Sequence, residues 1–263
     1  MRHHYYKPGK RYMILRGNNK LPPIILIHGG AWCRGKTLYM IPMAHYFNRI
    51  GFTVVVPEYT LGSLAPMSGL IQLMLLLLLI LFATYFGFGA LIVSLVAITC
   101  IYINNLKWQR GIVDPLRDIN DLLKFLQYGK VTLVGHSAGA HLAALYATLS
   151  KRDNIERVIC ISGVYSDHHN MSTRLGRFLA HNLQFMLKPY PLYHTHGRKR
   201  KWLLVNCELD SGLKRDTFDF AMALNESGHD VQVRYLNRSN HFTCIKAEET
   251  FEVMSTWLNT TLK

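Results

Sequence analysis

A serine flanked by glycines lies between an apolar run and a helical pattern in the middle of the chain. Gly135-His136-Ser137-Ala138-Gly139 follows a predicted strand and leads directly into a predicted helix. The two glycines allow the backbone to turn sharply and allow strand and helix to approach closely. The pattern therefore predicts a strand–turn–helix unit that exposes the Ser137 hydroxyl, and a chance match to so short a motif is the alternative.

A second glycine-containing loop follows another apolar run. Residues 22–27 read as a buried strand, and His28-Gly29-Gly30-Ala31-Trp32 comes directly after them. Glycines in such a loop let main-chain N–H groups point at a reacting oxygen, and each fixed donor lowers an acyl-transfer barrier by roughly 3 kcal/mol. We assign Gly29, Gly30 and Ala31, with Ala138, as a candidate oxyanion hole; a simple turn after a strand is the alternative.

A third apolar run, residues 202–207, ends in two carboxylates. Glu208 and Asp210 follow it at the end where ligand sites of open parallel sheets lie. We assign Asp210 as the acid that orients a histidine and stabilises its imidazolium form. Alternate residues of an extended chain point to the same side, so Glu208 is the second candidate, and a plain surface acid is the alternative for either.

Only one histidine has the right position to pair with that acid. Of the 13 histidines, His241 alone follows Asp210 at the end of the last predicted strand, so it is the candidate general base. His28, His136 and His141 lie inside the two motifs, where we expect their side chains to brace the loops.

Together these motifs resemble those of α/β-hydrolases in the esterase group whose oxyanion loop reads H-G-G-x-W. That group includes kynurenine formamidase and the isoprenylcysteine methylesterases, and residues 28–32 and 135–141 are closest to the latter. The resemblance extends from residue 22 to the C-terminus apart from one insertion, and the order serine, acid, histidine is that of the α/β-hydrolases. It implies a triad of Ser137, Asp210 and His241, and it says much less about the substrate.

Apolar runs and helical patterns alternate along the rest of the chain. This alternation predicts an α/β-hydrolase fold, a single domain over residues 1–263 with a mostly parallel sheet and helices on both faces. The segment 2–19 is predicted as an antiparallel edge hairpin. The predicted strands lie at 24–28, 52–57, 130–135, 157–162, 202–207 and 231–236, and the predicted helices at 37–50, 115–128, 138–150, 212–227 and 243–261.

One uncharged segment interrupts this alternation. Residues 69–104 contain no charged side chain and are broken near the middle by Gly87-Phe88-Gly89. The two apolar arms would each span roughly 21 to 26 Å as α-helix, slightly less than the ~30 Å hydrocarbon thickness of a bilayer. So long an apolar stretch is typical of a membrane segment, and a buried helical cap is the alternative.

The site motifs lie on both sides of this segment, which limits its topology. The oxyanion loop precedes it, whereas Ser137, Asp210 and His241 follow it. A single crossing would place the two groups on opposite sides of the membrane. We therefore predict a helical hairpin that enters and leaves from the same face, either transmembrane with two crossings or re-entrant.

The charge balance favours an anionic partner. The chain has 30 Lys and Arg against 16 Asp and Glu, a formal net charge of +14. Ester chemistry does not require this excess, so an anionic membrane surface is the expected partner, with basic stretches at 174–179 and 198–201. A solvated basic face is the alternative.

We see no nucleic-acid recognition motif and expect no nucleic-acid partner. The oligomeric state is left open.

The segment 165–200 mixes apolar and basic residues and is expected to form a lid over the serine. The expected activity is hydrolysis of a carboxylic ester of an apolar or lipid-modified substrate through an acyl-enzyme, and the resemblance adds a prenylcysteine methyl ester as one such substrate. The alternatives are an aryl formamidase, a lipase-type carboxylesterase and a non-catalytic membrane-anchored binding module. No metal or organic cofactor is expected.

The location of the catalytic domain is predicted from the flanks of the apolar segment. The N-terminus shows no secretory signal, and Lys107 and Arg110 follow the predicted hairpin, which favours the cytosolic face of the endoplasmic reticulum or a related membrane. The five cysteines do not read as a disulfide framework. Against a cytosolic domain stand four N-x-S/T triplets, at Asn170, Asn225, Asn237 and Asn259.

Overall fold

The predicted sheet is present, and it has eight strands in the described part of the chain. The computed structural model describes residues 2–18, 20–62, 69–87, 89, 92–100, 112–166, 190–210 and 213–262. The strands, in chain order, are β1 Arg2–Lys7, β2 Lys10–Leu15, β3 Ile24–Ile27, β4 Val54–Pro57, β5 Val131–His136, β6 Ile155–Ile161, β7 Lys201–Cys207 and β8 Asp230–Leu236.

The strand order places the candidate site at a reversal of the sheet. The order is β1-β2-β4-β3-β5-β6-β7-β8, with β2 antiparallel to both neighbours and the pairs from β4 to β8 parallel. The chain adds β4 on one side of β3 and β5 on the other. In open α/β sheets, ligands bind in the crevice that such a reversal leaves at the carboxyl ends of the strands.

Helices cover both faces of the sheet, as predicted. The helices are α1 Ile41–Arg49, α2 Gly69–Phe86, α3 Val113–Leu126, α4 Ala138–Leu149, α5 Leu213–Glu226 and α6 Glu248–Thr261, of which α2 belongs to the uncharged segment. Successive side chains of a strand point to opposite faces. Ile25 and Ile27 pack with residues of α3, α4 and α5, whereas Ile24 and Leu26 pack with residues of α1 and α6. Strands buried on both faces explain why the apolar runs could be read as strands.

Two predicted helices begin later than the sequence pattern indicated. Residues 37–50, predicted as one helix, form a short 3-10 turn, Thr37–Met40, followed by α1. Pro42 lies in the first turn of α1. Proline fits there because its missing N–H would have no helical partner. The pattern at 243–261 likewise divides into a 3-10 turn, Cys244–Lys246, and α6.

The uncharged segment forms two helical arms over its described residues. The first is α2, residues 92–100 of the second are helical, and Ser94 Oγ donates to the carbonyl of Leu79 at 3.0 Å, so the arms lie side by side. Among the described residues, no helix has the length and apolar character that a membrane crossing requires. The transmembrane form of the predicted hairpin is therefore not supported. Residues 101–104 of the predicted segment lie outside the described part of the chain.

The predicted lid falls largely outside the described residues, which omit 167–189 and with them the basic stretch at 174–179. The described end of the lid segment, from Tyr190 onward, packs into the fold, with Tyr190 and Thr195 buried.

One residue of the basic stretch 198–201, Arg200, is turned into the fold, whereas Arg198 and Lys199 are exposed. Arg200 is buried, and its guanidinium donates to the main-chain carbonyls at the end of α4 and start of β6, those of Ala147, Ser150, Arg152 and Ile155. Arg198 pairs with Asp153 at 2.5 Å, and Lys199 donates to the carbonyl of Ser227. Arg200 thus supports the end of α4 rather than an external surface.

Candidate active site

Ser137 lies at a strained turn between β5 and α4. It is the single residue between the two elements, and its φ of 54° and ψ of −121° lie outside the regions that non-glycine residues favour. A Cβ at Gly135 would overlap the carbonyl of Gly139, and one at Gly139 would overlap the carbonyl of Ile27. The two glycines therefore permit the close approach of strand and helix that the motif predicted.

The structure brings Ser137, His241 and Asp210 into one hydrogen-bonded series. His241 Nε2 lies 2.9 Å from Ser137 Oγ, and His241 Nδ1 lies 3.0 Å from Asp210 Oδ1. A carboxylate only accepts hydrogen bonds, so Nδ1 carries the proton and Nε2 is free to accept the serine proton. Asp210 is 5% exposed, and Ser137 and His241 are partly exposed at the same edge of the sheet.

Glu208, the second candidate for the acid, points away from the histidine. Its side chain is 52% exposed and lies 3.7 Å from Lys214 Nζ. The expectation that Glu208 and Asp210 share one side is wrong, because β7 ends at Cys207 and the chain turns at residues 208–209. Once the extended conformation ends, the alternation of side chains ends with it.

Two of the four candidate oxyanion residues, Gly29 and Ala138, adjoin the serine. A Cβ at Gly29 would lie 2.9 Å from the carbonyl oxygen of His136 and 3.0 Å from Ser137 Cβ, so Gly29 packs directly against the turn. Gly30 and Ala31 continue from it with φ angles of 128° and 49°. Ala138 opens α4, where main-chain N–H groups lack helical partners.

Three histidines of the motifs brace these loops, as expected. His28 Nδ1 lies 2.8 Å from the carbonyl of Gly29, and its ring stacks on Tyr59, whose hydroxyl donates back to the carbonyl of His28 at 2.7 Å. Trp32 Nε1 donates to His141 Nδ1 at 3.1 Å, which ties the loop to α4. His136 Nε2 lies 2.7 Å from the carbonyl oxygen of His241.

Other residues of the site were not found from the sequence. Asn240 Oδ1 accepts the main-chain N–H groups of Phe242 and Thr243 at 2.9 and 3.0 Å, which shapes the turn that carries His241. An asparagine that precedes a turn is a known signal for such bonds, and it could have been used. The buried thiol of Cys244 also donates to the carbonyl of His241, at 3.3 Å, and no local pattern indicates that contact.

No cluster of side chains suited to hold a metal ion occurs within the described ranges of the chain. The arrangement at the site is one of acid–base and nucleophilic groups.

The fold and site together define a class of protein. A mostly parallel sheet, a serine at a sharp turn into a helix, and a histidine and an acid from later strand ends constitute the arrangement of the α/β enzymes with a nucleophile elbow. A model of the alpha/beta hydrolase family matches residues 24–243, and the chain belongs to that family. No curated protein matches it in sequence.

Several solved structures share the fold. The chain is similar to esterase Est2 of Thermogutta terrifontis with butyrate bound, with a TM-score of 0.67, 15% identity, and coverage of 99% of this chain and 94% of that one. Esterase B of Lactobacillus rhamnosis, in a structure with a tributyrin phosphonate, has a TM-score of 0.67, 16% identity, and coverage of 98% and 84%. Alpha/beta hydrolase domain-containing protein 10 from mouse has a TM-score of 0.56, 13% identity, and coverage of 96% and 93%.

Proposed function

We propose that the protein is a serine hydrolase that cleaves carboxylic esters. The observation that carries the proposal is the series from Ser137 Oγ through His241 to Asp210, with distances of 2.9 and 3.0 Å. A general base within hydrogen-bond reach of a hydroxyl, itself oriented by a buried carboxylate, is the arrangement that activates a serine. Similarity in fold to two esterases accords with this chemistry.

The geometry supports a two-step mechanism. His241 Nε2 takes the proton of Ser137 as Oγ attacks the ester carbonyl, and main-chain N–H groups of Gly29, Gly30, Ala31 and Ala138 are the candidates to hold the developing oxyanion. The proton on His241 then passes to the leaving alcohol. The acyl group remains bound to Ser137 Oγ as an acyl-enzyme. Water, deprotonated by the same imidazole, releases the acid.

The test of this proposal is covalent labelling of Ser137. The intact protein, in membranes and in detergent, would be treated with a fluorophosphonate probe beside Ser137→Ala and Ser162→Ala, the latter a control serine at the end of β6. We expect labelling of the wild type and of Ser162→Ala and none of Ser137→Ala. A folded wild-type protein that takes no label would instead support the non-catalytic binding module.

We further propose that the two apolar arms anchor the enzyme in a membrane as a re-entrant hairpin. Their described surface is apolar and exposed, with Leu77, Leu78, Ile80, Leu81, Phe82, Ile92, Val93, Leu95 and Val96 all among the exposed large side chains. Soluble monomers rarely expose contiguous apolar patches of such extent. The net charge of +14 favours an anionic leaflet as the surface that the protein contacts.

The anchor can be tested with a matched pair of leucines. Leu78 in α2 and Leu38 in the 3-10 turn before α1 are both 58% exposed. We expect Leu78→Lys, combined with Leu81→Lys, to release the protein from vesicles that contain anionic lipid in a flotation assay, and Leu38→Lys to remain bound. Equal flotation of all three proteins would contradict the anchor.

An anchored enzyme has ready access to substrates that dissolve in the bilayer. We therefore propose an apolar or lipid-modified ester as the substrate, with a prenylcysteine methyl ester as the specific candidate from the H-G-G-x-W group. The experiment compares kcat/KM for prenylcysteine methyl esters, long-chain acyl esters, a short soluble ester and an aryl formamide. A higher kcat/KM for the formamide would support the formamidase alternative. A higher kcat/KM for the short soluble ester would contradict the proposal that the substrate enters from the bilayer.

We place the catalytic domain on the cytosolic side of the endoplasmic reticulum or a related membrane. Three of the four N-x-S/T asparagines, Asn225, Asn237 and Asn259, are exposed and would be open to glycosylation in the lumen. We expect no change in electrophoretic mobility after endoglycosidase treatment of the protein from cells. A shift would place the domain in the lumen.

A further inference from the structure

His136 contacts two parts of the candidate active site at once. Its Nε2 lies 2.7 Å from the carbonyl oxygen of His241. Its Nδ1 faces the oxyanion loop, since a Cβ at Gly29 would lie 2.9 Å from that nitrogen. The residue itself ends β5, directly before Ser137. One imidazole thus lies between the nucleophile turn, the histidine loop and the glycine loop.

The protonation of His136 follows from these contacts. A carbonyl oxygen only accepts hydrogen bonds, so the proton of the neutral ring must be on Nε2. Burial and then the neighbouring ring of His241 lower the pKa of His136, the hydrogen bond to the His241 carbonyl and the Asp210 carboxylate oppose them, and the net pKa is about 4. The side chain is therefore neutral near pH 7 and provides one N–H donor in a fixed direction.

The Nε2–H group of His136 donates to the main-chain carbonyl of His241, which is part of the turn that carries the base. The turn that carries His241 is shaped locally by Asn240, whose carbonyl also accepts the thiol of Cys207 at the end of β7 at 3.4 Å. The carbonyl of His241 accepts His136 Nε2–H and the Cys244 thiol, and a thiol is a weak donor. The Cys244 thiol bonds within the segment that carries His241, whereas the imidazole of His136 links the main chain of the base to the strand that carries the nucleophile.

We infer that His136 is a positioning residue, which holds His241 in line with Ser137 through the main-chain carbonyl of His241. The inference rests on the proposed hydrolase function. His136 touches neither substrate nor the transferred proton. Its neutral form also leaves His241 as the one imidazole of the pair that gains charge when it takes the serine proton, so the two rings do not repel each other at that moment.

Two substitutions separate positioning from simple filling of space. The side-chain amide of glutamine places an N–H about where histidine has Nε2, whereas asparagine reaches only about as far as Nδ1. His136→Gln therefore keeps the donor to the His241 carbonyl, and His136→Asn loses it at similar polarity. Because a displacement of about 1 Å at a reacting group can lower the rate about 100-fold, we expect His136→Asn to lose roughly that factor in kcat with KM nearly unchanged. We expect His136→Gln to recover most of the rate.

His229 provides the matched control. It is also buried, 4% exposed, and its Nε2 lies 2.8 Å from the carbonyl of Thr195, away from the site. Burial lowers its pKa as well. His229→Asn should lower the unfolding temperature as His136→Asn does, but leave kcat per folded molecule unchanged. Equal loss of kcat in His136→Asn and His136→Gln, or in His229→Asn, would overturn the positioning role.

A second measurement does not depend on activity. The Nδ1 proton that His241 shares with Asp210 should give a low-field proton resonance in NMR spectra of the full chain in detergent. We expect the resonance in the wild type and His136→Gln and its loss or broadening in His136→Asn. If it persists unchanged in His136→Asn, the positioning role is wrong. Absence of activity in a wild type that shows the resonance would contradict the hydrolase function instead.

Discussion

Trp32 donates its indole N–H to Nδ1 of His141 at 3.1 Å, and this bond joins the oxyanion loop to the helix that follows Ser137. Both residues are buried, and their rings meet edge to face. The two motifs are more than a hundred residues apart in the chain, and this side-chain contact joins them in addition to the pairing of β3 with β5. Trp32 is therefore part of the support of the candidate site as well as of the core.

Loss of that bond should weaken both stability and catalysis. Trp32→Phe removes the indole N–H that donates to Nδ1 of His141, and an intramolecular hydrogen bond contributes about 0.5–1.5 kcal/mol to stability. We expect a matching fall in the free energy of unfolding, measured with denaturant, and a decrease of about tenfold in kcat as the loop loosens. Trp257→Phe, a buried tryptophan in α6 on the other side of the sheet, is the control and should change stability alone.

The two carboxylates after β7 should differ sharply when each is made neutral. Asp210→Asn keeps the shape of the side chain but no longer stabilises the imidazolium or selects its tautomer, so we expect kcat to fall about 10⁴-fold. Glu208→Gln removes a charge that faces Lys214 at the surface, and kcat should stay within about twofold. Steady-state ester hydrolysis measures both. Similar losses in the two variants would mean that the acid has been assigned wrongly.

A methyl group at Gly29 should disturb the site by its size alone. The added Cβ would lie 2.9 Å from the His136 carbonyl oxygen and 3.0 Å from Ser137 Cβ, and both neighbours belong to the turn that cannot move freely. We expect Gly29→Ala to lower the rate of fluorophosphonate labelling about 100-fold. Gly129→Ala is the control because nothing lies within 4 Å of its added Cβ, and it should label at the wild-type rate.

The low pKa of His136 makes a prediction about stability and pH. Its folded pKa of about 4 lies below the ordinary value of 6.5, so the unfolded chain binds a proton that the folded chain excludes. The free energy of unfolding is therefore unaffected above about pH 6.5, falls as the pH drops towards about 4, and then levels off, with a total loss of about 3 kcal/mol. Denaturant unfolding from pH 8 to pH 4 measures it.

His136→Gln should lose about 3 kcal/mol less of its free energy of unfolding than the wild type between pH 6.5 and 4, because glutamine does not titrate. His28 and His229, whose pKa values burial also lowers, contribute to the slope in both proteins and cancel in the difference between them. If the two profiles run parallel between pH 6.5 and 4, the buried neutral state assigned to His136 is wrong.

The sheet and the three reactive residues could be predicted because each has a local signal. Strands such as β3 are buried and read as continuous apolar runs, Ser137 and Asp210 each follow such a run, and His241 follows β8, where apolar and polar residues alternate. The contacts that support the site have no such signal. His136 and the carbonyl of His241 are 105 residues apart, and only the packed sheet brings them together.

The errors also have physical causes. The expectation that Glu208 lies beside Asp210 requires the strand to continue, and the turn after Cys207 ends the alternation. The grouping of Arg200 with its basic neighbours rests on charge alone, and charge does not show which of these side chains is buried. Its carbonyl partners come from segments about fifty residues away, so no window around Arg200 could reveal them.

The position of the apolar hairpin between β4 and β5 has a consequence for how the site comes into being. A cut in the hairpin would divide the chain into an N-terminal fragment with four strands and the glycine loop, and a C-terminal fragment with four strands and the three reactive residues. Within the sheet, these fragments meet at one parallel ladder, Ile24 to Ile27 against Thr132 to Gly135. Neither fragment holds a complete site, so the site can form only after the second half of the chain has been synthesised and β5 has paired with β3.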